Sequence, residues 1–291
     1  MKHEHYYVPA KSYWPIMGAL GLFLIAFGAG HFVPQVTSGQ QGGYGGWLLL
    51  AGVLVIIVMC FGWFAAVIRE SMAGFYSGQM DRSFRQGMSW FIFSEVMFFC
   101  AFFGALFYAR TFAVPWLGGG SNNILTHQLL WPDFSGTWPV ATTPGGKSTE
   151  VMPWMGLPLY NTLILLSSSV TVHLAHLSLE KGNRLALKLW LLATILLGSC
   201  FLYLQGVEYI HAYTEMGLKL DAGIYGNTFF LLTGFHGMHV TLGTLMLLVM
   251  WLRVLAGHFS AQKHFGFMAA SWYWHFVDVV WLCLFLFVYI L

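Results

Sequence analysis

Charged side chains are scarce in this sequence. Only 8% of its 291 residues are Asp, Glu, Lys or Arg, whereas 58% are hydrophobic. A soluble domain carries about 25% charged residues, because water must solvate its surface. The composition therefore excludes an ordinary soluble globular protein. The net charge of +2 also gives no support for a nucleic-acid partner.

The four cysteines are far apart, so the chain lacks the CxxC spacing of a zinc or redox site. Each one lies within an apolar run, at Cys60, Cys100, Cys200 and Cys283. We interpret them as small buried hydrophobic residues. We expect no catalytic residue and no metal ligand in this chain.

Proline is absent from the middle of the long apolar runs. Each of the nine prolines lies in a predicted linker or in the first turns of a run, so broken helices of the transporter kind are not indicated. A spanning helix needs about 20 mostly apolar residues, whereas barrel strands would alternate apolar and polar residues. We therefore predict an all-α integral membrane protein with seven transmembrane helices. The predicted spans are Tyr13–Val33, Trp47–Ile68, Gln86–Ala109, Trp154–His176, Lys188–His211, Ala222–Leu252 and Gly266–Leu291.

Lysine and arginine predict the orientation of these spans. With the N-terminus in the cytoplasm, ten Lys and Arg residues lie on the inner side and three, Arg110, Lys147 and Lys219, on the outer side. This bias agrees with the positive-inside rule and puts the C-terminus outside. The extended loop 111–153 is then also outside. We treat residues 1–291 as one membrane domain, with a two-helix part at 13–68 and a five-helix part at 86–291.

Three ionisable residues lie deep in the third and sixth spans. Such residues are costly in a membrane and by default indicate function. Glu95 suggests either proton handling or a polar contact with lipid, and the alternative is a neutral acid bonded to a neighbouring helix. His236 and His239 share a helix face at i, i+3 spacing, which favours polar contacts between helices over a metal site.

Polar residues in the other spans have plainer interpretations. His275 and Asp278, again at i, i+3, predict an internal hydrogen-bonded pair, with a proton relay as the alternative. We expect His173 and His176 to lie at the inner membrane interface. Glu208 is expected to be solvated at the outer end of the fifth span.

Three stretches of this sequence together resemble one known protein family. They read RQGMSWFIFSEVMFF at residues 85–99, YGNTFF followed by TGFHGMHV at 225–240, and HFGF followed by WYWHFVDVVW at 264–281. They resemble cytochrome c oxidase subunit III, and weaker similarity extends over nearly the whole chain. The long loop 111–153 is similar to bacterial members. The resemblance therefore implies a multi-pass protein of the bacterial inner (plasma) membrane.

The family implies a two-helix pair and a five-helix bundle around a cleft filled with phospholipid. It implies no redox centre in this chain, with haem and copper in the partner subunits I and II and cytochrome c as substrate of the complex. A small accessory subunit is a further expected partner. Such a subunit is expected to stabilise the catalytic subunit, which reduces oxygen to water and pumps protons, and to support its proton uptake.

The resemblance also implies roles for five residues. Glu95 and His239 are expected to face the lipid of the cleft, Arg69 and Arg253 to contact lipid phosphates, and Trp63 to line the cleft. The sequence departs from the common pattern at Met268, where many members carry Glu, and at residues 64–66. These departures affect the expected lipid contacts.

Two other functions remain open at this point. One is the corresponding subunit of a quinol oxidase, but those subunits usually have five spans and lack the first pair. The other is a stand-alone proton or ion transporter that uses Glu95 and Asp278.

Overall fold

The computed structural model describes residues 7–8, 11–39 and 42–291, and this part of the chain is helical with no named strand. Seven helices are long and apolar enough to cross a membrane, which confirms the predicted fold class. Lys2, one of the ten cations counted on the inner side, lies outside the described residues. The long helices are α1 (Trp14–Thr37), α2 (Gly45–Met72), α3 (Gly78–Tyr108), α6 (Leu157–Glu180), α7 (Arg184–Thr214), α8 (Ile224–Leu255) and α9 (Phe265–Leu284).

Several helices extend beyond the predicted apolar runs. The third span continues from α3 through a π-helical turn, Ala109–Ala113, and α4 (Val114–Leu117), which makes 40 residues. At about 1.5 Å per residue this is roughly 60 Å, twice the thickness of the hydrocarbon core. The third span was predicted to begin at Gln86, but α3 begins eight residues earlier, at Gly78, and α2 continues four residues beyond its predicted end, to Met72. Helical hydrogen bonds need no lipid, so a helix can continue into the aqueous phase.

Pro34 contradicts the prediction that every proline lies in a linker or in the first turns of a span. It lies within α1, one turn before the helix ends at Thr37. A proline in a helix lacks the N–H for one backbone hydrogen bond, and its ring crowds the carbonyl group four residues earlier. The following turn is supported by hydroxyl groups, since Ser38 Oγ donates to the Pro34 carbonyl at 2.7 Å and Thr37 Oγ1 to the Val33 carbonyl at 3.0 Å.

The chain forms two compact units, Met1–Phe84 and Arg85–Leu291. In the first unit, glycines lie where α1 and α2 cross, and they allow the two backbones to approach closely. A Cβ atom added at Gly52 would lie 2.7 Å from the Ile25 backbone nitrogen, and one at Gly28 would collide with the Leu49 backbone. Small residues allow this close approach of membrane helices, whose association depends on packing because lipid is as apolar as the side chains.

The second unit has its core between α6, α7, α8 and α9. Trp274 and Trp281 of α9 are 0% and 1% exposed. Each indole donates to a hydroxyl of α6, Trp274 to Ser168 Oγ and Trp281 to Thr162 Oγ1, both at 2.9 Å. These bonds satisfy the polar ends of two otherwise apolar side chains, and they fix α9 against α6.

The extended loop is attached to the connection between α7 and α8. It contains a short helix, α5 (Ile124–Leu130). Thr149 Oγ1 and the Glu150 N–H both donate to the Met216 carbonyl, at 3.2 and 3.0 Å. Lys147 Nζ lies 3.1 Å from Asp221 Oδ2, and this ammonium lowers the pKa of the carboxyl group below its usual value.

The prediction that the cysteines are buried is wrong. Cys100 and Cys200 are exposed, and Cys60 and Cys283 are intermediate. An apolar run does not identify the face of a helix that packs inside, because the lipid-facing side of a span is also apolar. Thiols are accommodated on either side of such a helix.

Candidate functional site

Glu95 and His239 form a pair that joins α3 to α8. Glu95 Oε2 lies 2.9 Å from His239 Nε2, although 144 residues separate the two in sequence. The imidazole is 5% exposed and the carboxyl side chain 22%. The structure therefore bonds Glu95 to a neighbouring helix, and any lipid that reaches the pair would meet Glu95 first. The expected lipid contacts of the two residues stay a prediction.

The hydrogen bonds of this pair fix how many protons it holds. His239 Nδ1 lies 2.6 Å from the Phe235 carbonyl oxygen, which can only accept, so Nδ1 carries a hydrogen. The contact between Nε2 and Oε2 then needs one more proton, on either the carboxyl oxygen or the imidazole nitrogen. In both arrangements the pair is neutral overall, which lowers the cost of placing two ionisable groups in a membrane.

Aromatic rings enclose the His239 end of the pair. The Phe99 ring lies edge-on to the imidazole with centroids 4.9 Å apart, and the rings of Phe98, Tyr273 and Phe276 lie within 6.4 Å. These rings leave little room for water around Nε2. A hydrogen bond in such surroundings is electrostatically stronger than it would be in water.

His236 and His239 make separate hydrogen bonds. His236 is 0% exposed, and its Nε2 donates to the Val277 carbonyl at 3.2 Å. Its ring lies 5.0 Å from that of Trp281 and 5.6 Å from that of Phe201. The two imidazoles share a face of α8 but have different partners, one on α9 and one on α3.

His275 and Asp278 lie near each other on α9, but the predicted hydrogen bond between them is absent. Their nearest nitrogen and oxygen atoms are 3.8 Å apart. His275 Nδ1 instead contacts Ser169 Oγ of α6 at 2.8 Å. The Asp278 side chain is only 5% exposed, whereas the His275 side chain is 39% exposed.

The expectation that Glu208 is solvated is wrong. Glu208 is 1% exposed, and Tyr289 Oη donates to its Oε1 at 2.7 Å. The cause is its position on the buried face of α7, where Gln205 and Ala212 are also buried. The face of α7 on which Glu208 lies decides its burial, and its closeness to the helix end does not.

The predicted lipid-phosphate ligands lie at the C-terminal parts of their helices. The Arg253 guanidinium lies over the Phe259 ring at 4.4 Å, and Arg69 Nε donates to the Ala65 carbonyl at 3.3 Å. Trp63 is 48% exposed and stacks on Phe64. Their contacts with lipid stay predictions. Near the start of α9, Arg85 Nη1 lies 2.9 Å from Met268 Sδ.

His173 and His176 lie one turn apart on α6 but have different surroundings. His173 is exposed, whereas His176 is partly buried and lies 3.7 Å from Glu180 and near the ring of His264. These two histidines are the last of the polar residues that the sequence analysis singled out. Within the described residues, hydrogen bonds place Glu95, His239, His236 and His275 in three separate groups, and the Asp278 carboxyl group belongs to none of them.

The shared proton gives a testable expectation for Glu95. We expect the proton to lie on Glu95 Oε2, since this arrangement places no charges in the membrane. Glu95→Gln should then remove one protonated-carboxyl band from infrared difference spectra of the chain in membranes. Glu215→Gln, which changes a side chain that is 70% exposed, should leave that band in place. If no such band is assignable to Glu95, the proton lies on His239 and the pair is ionic.

Comparison with known proteins agrees with this fold. The family model described as cytochrome c oxidase subunit III matches residues 3–291. Proteins named cytochrome c oxidase subunit 3 are similar over almost their whole length. The one from Marchantia polymorpha is 39% identical over 99% of this chain and 96% of its own, and the one from Loxodonta africana is 40% identical over 98% and 96%. The one from Arabidopsis thaliana is 38% identical over 99% and 97%. None of these three is bacterial, so a bacterial source stays a prediction. This chain belongs to the cytochrome c oxidase subunit III family.

Proposed function

We propose that this chain is a non-catalytic subunit of a cytochrome c oxidase complex. The observation that carries the proposal is how the membrane-embedded histidines are used. His236 donates to a carbonyl group, His239 bonds to Glu95, and His275 contacts Ser169. Through these contacts the three imidazoles join α8 to α9, α8 to α3 and α9 to α6. We assign haem and copper to partner subunits I and II.

Binding of phospholipid is the second part of the proposal. Arg69 and Arg253 lie near the C-terminal ends of α2 and α8, which both end on the cytoplasmic side in the predicted orientation. Guanidinium groups at this depth pair well with lipid phosphates. The proposed location is the bacterial inner membrane, with the N-terminus in the cytoplasm and the C-terminus in the periplasm.

Support of proton uptake is the third part. His173, His176 and Glu180 lie at the C-terminal end of α6, and His264 lies at the start of α9. Imidazole and carboxyl groups exchange protons with water quickly enough to collect them for a neighbouring subunit. The same groups lie on the inner side in the predicted orientation, from which a pumping oxidase takes up its protons.

Removal of the chain from the complex tests the function. We expect the oxidase without it to take up protons more slowly than the intact oxidase at high pH, and rebinding of the chain to restore the rate. Equal rates with and without the chain would remove the proton-uptake role.

Purification of the chain tests whether it has a redox centre. We expect it to co-purify with a haem-bearing partner in mild detergent and to show no visible absorption when isolated. Stoichiometric haem in the isolated chain would overturn the non-catalytic assignment.

A further inference from the structure

Three potential metal ligands meet where α6 ends and α9 begins. The nearest ligand atoms of His176, Glu180 and His264 lie within 4.8 Å of one another. His176 and Glu180 are one helical turn apart and so share a face of α6. His264 precedes α9 and comes from 88 positions further along the chain. We propose that these three side chains bind a divalent transition-metal ion, with Zn²⁺ as the best fit.

The ring of His264 is oriented for metal binding. Its Nδ1 lies 3.1 Å from the Ser260 carbonyl oxygen, which can only accept a hydrogen bond. Nδ1 therefore carries the hydrogen, and Nε2 of the neutral ring offers its lone pair. Metal-binding histidines are commonly held by such a bond from the second ring nitrogen to a carbonyl group.

His176 supplies a second nitrogen that lacks a partner. Its Nε2 atom is buried, accepts and donates no hydrogen bond among the described residues, and lies 3.7 Å from Glu180 Oε1. That distance is too long for a hydrogen bond. A buried nitrogen left unpaired costs free energy, and a metal ion between it and the carboxylate would satisfy both groups.

The three ligands fit a zinc ion, and an ion can reach them from water. Two imidazole nitrogens and one carboxylate oxygen, with a position left for water, are a common set for Zn²⁺. In a tetrahedral site the ligand atoms would be roughly 3.3 Å apart, so closure around an ion needs a shift of about 1–2 Å. Glu180 is able to make this shift because its side chain is 53% exposed, and the same exposure gives an ion a path from water.

Zinc binding to the purified complex that contains this chain tests the proposal. The probe is ZnCl₂, followed by isothermal titration and by metal analysis after dialysis. His264→Ala and His176→Ala should each lower the zinc content by one equivalent relative to the unchanged chain. Glu180→Gln should weaken the binding of that equivalent by at least about tenfold, because the amide carries no negative charge.

His173→Ala is the matched control, since this histidine lies one turn away on the same helix and is exposed. It should bind as much zinc as the unchanged chain. Excess Mg²⁺ should not displace the zinc, because magnesium prefers oxygen ligands. The proposal is overturned if both histidine variants keep the full zinc content, if His173→Ala loses as much, or if Mg²⁺ displaces the ion. Unchanged partner subunits and haem spectra in each variant show that folding is intact.

Discussion

Replacing Trp274 with alanine is expected to lower the free energy of unfolding of the five-helix part by about 3–5 kcal/mol. Trp274 is 0% exposed and fills the space beside Gly198 of α7 and Gly243 of α8. Alanine would leave a cavity between three helices, and it would also remove the donor that bonds to Ser168 Oγ. Denaturant titration of the complex in detergent measures the change.

Two further variants separate packing from hydrogen bonding at this position. Trp274→Phe keeps an aromatic ring but loses the indole N–H, so we expect it to cost less than the alanine variant. Trp90→Ala changes a tryptophan of α3 that is 69% exposed, and it should cost within about 0.5 kcal/mol of zero. Similar losses for Trp90→Ala and Trp274→Ala would mean that Trp274 does not hold the helices together.

The seven spans follow from sequence because their signal is local. About 20 consecutive apolar residues are enough for a helix to cross the hydrocarbon core of a bilayer, whichever helices it packs against. The residues at which the helices begin and end cannot be predicted from apolar runs. Residues 78–85 carry polar and charged side chains, yet they are helical, since hydrogen bonding within the backbone continues in water.

The pairing of polar residues depends on tertiary structure. Glu95 and His239 each stand out in sequence as ionisable residues within a membrane span. Their contact follows only from the packing of α3 against α8. The approach of His264 to His176 follows in the same way from the packing of α9 against α6. No sequence spacing predicts a contact between residues 144 positions apart.

The burial of Glu208 could be predicted from the spacing of small and polar residues along α7, which a search for long apolar runs does not use. The buried face of α7 includes Thr194, Gly198, Phe201, Gln205, Glu208 and Ala212, at alternating spacings of four and three residues. Small and polar residues repeated in this way mark the packed face of a membrane helix, because they allow close approach and interhelical hydrogen bonds. The exposed Cys200 lies off this face, which explains why its burial was wrongly predicted.

Close packing through glycine gives the sharpest test in the first unit. Gly28→Ala is expected to destabilise the α1–α2 pair by about 2–3 kcal/mol. The added Cβ would collide with the Leu49 backbone, which is part of α2 and cannot rotate away as a side chain can. The two helices must therefore separate, and the packing that joins them is lost. Thermal unfolding and protease sensitivity of the complex in detergent report the change.

Gly30→Ala is the control because it makes the same chemical change two residues along α1. A Cβ atom at Gly30 meets nothing within 4 Å, so no helix has to move. Alanine also favours a helix over glycine by about 0.5–1 kcal/mol in water, so this variant should be neutral or stabilising. The opposite signs of the two substitutions separate helix contact from helix propensity. If Gly28→Ala is as stable as Gly30→Ala, the two helices do not cross at Gly28.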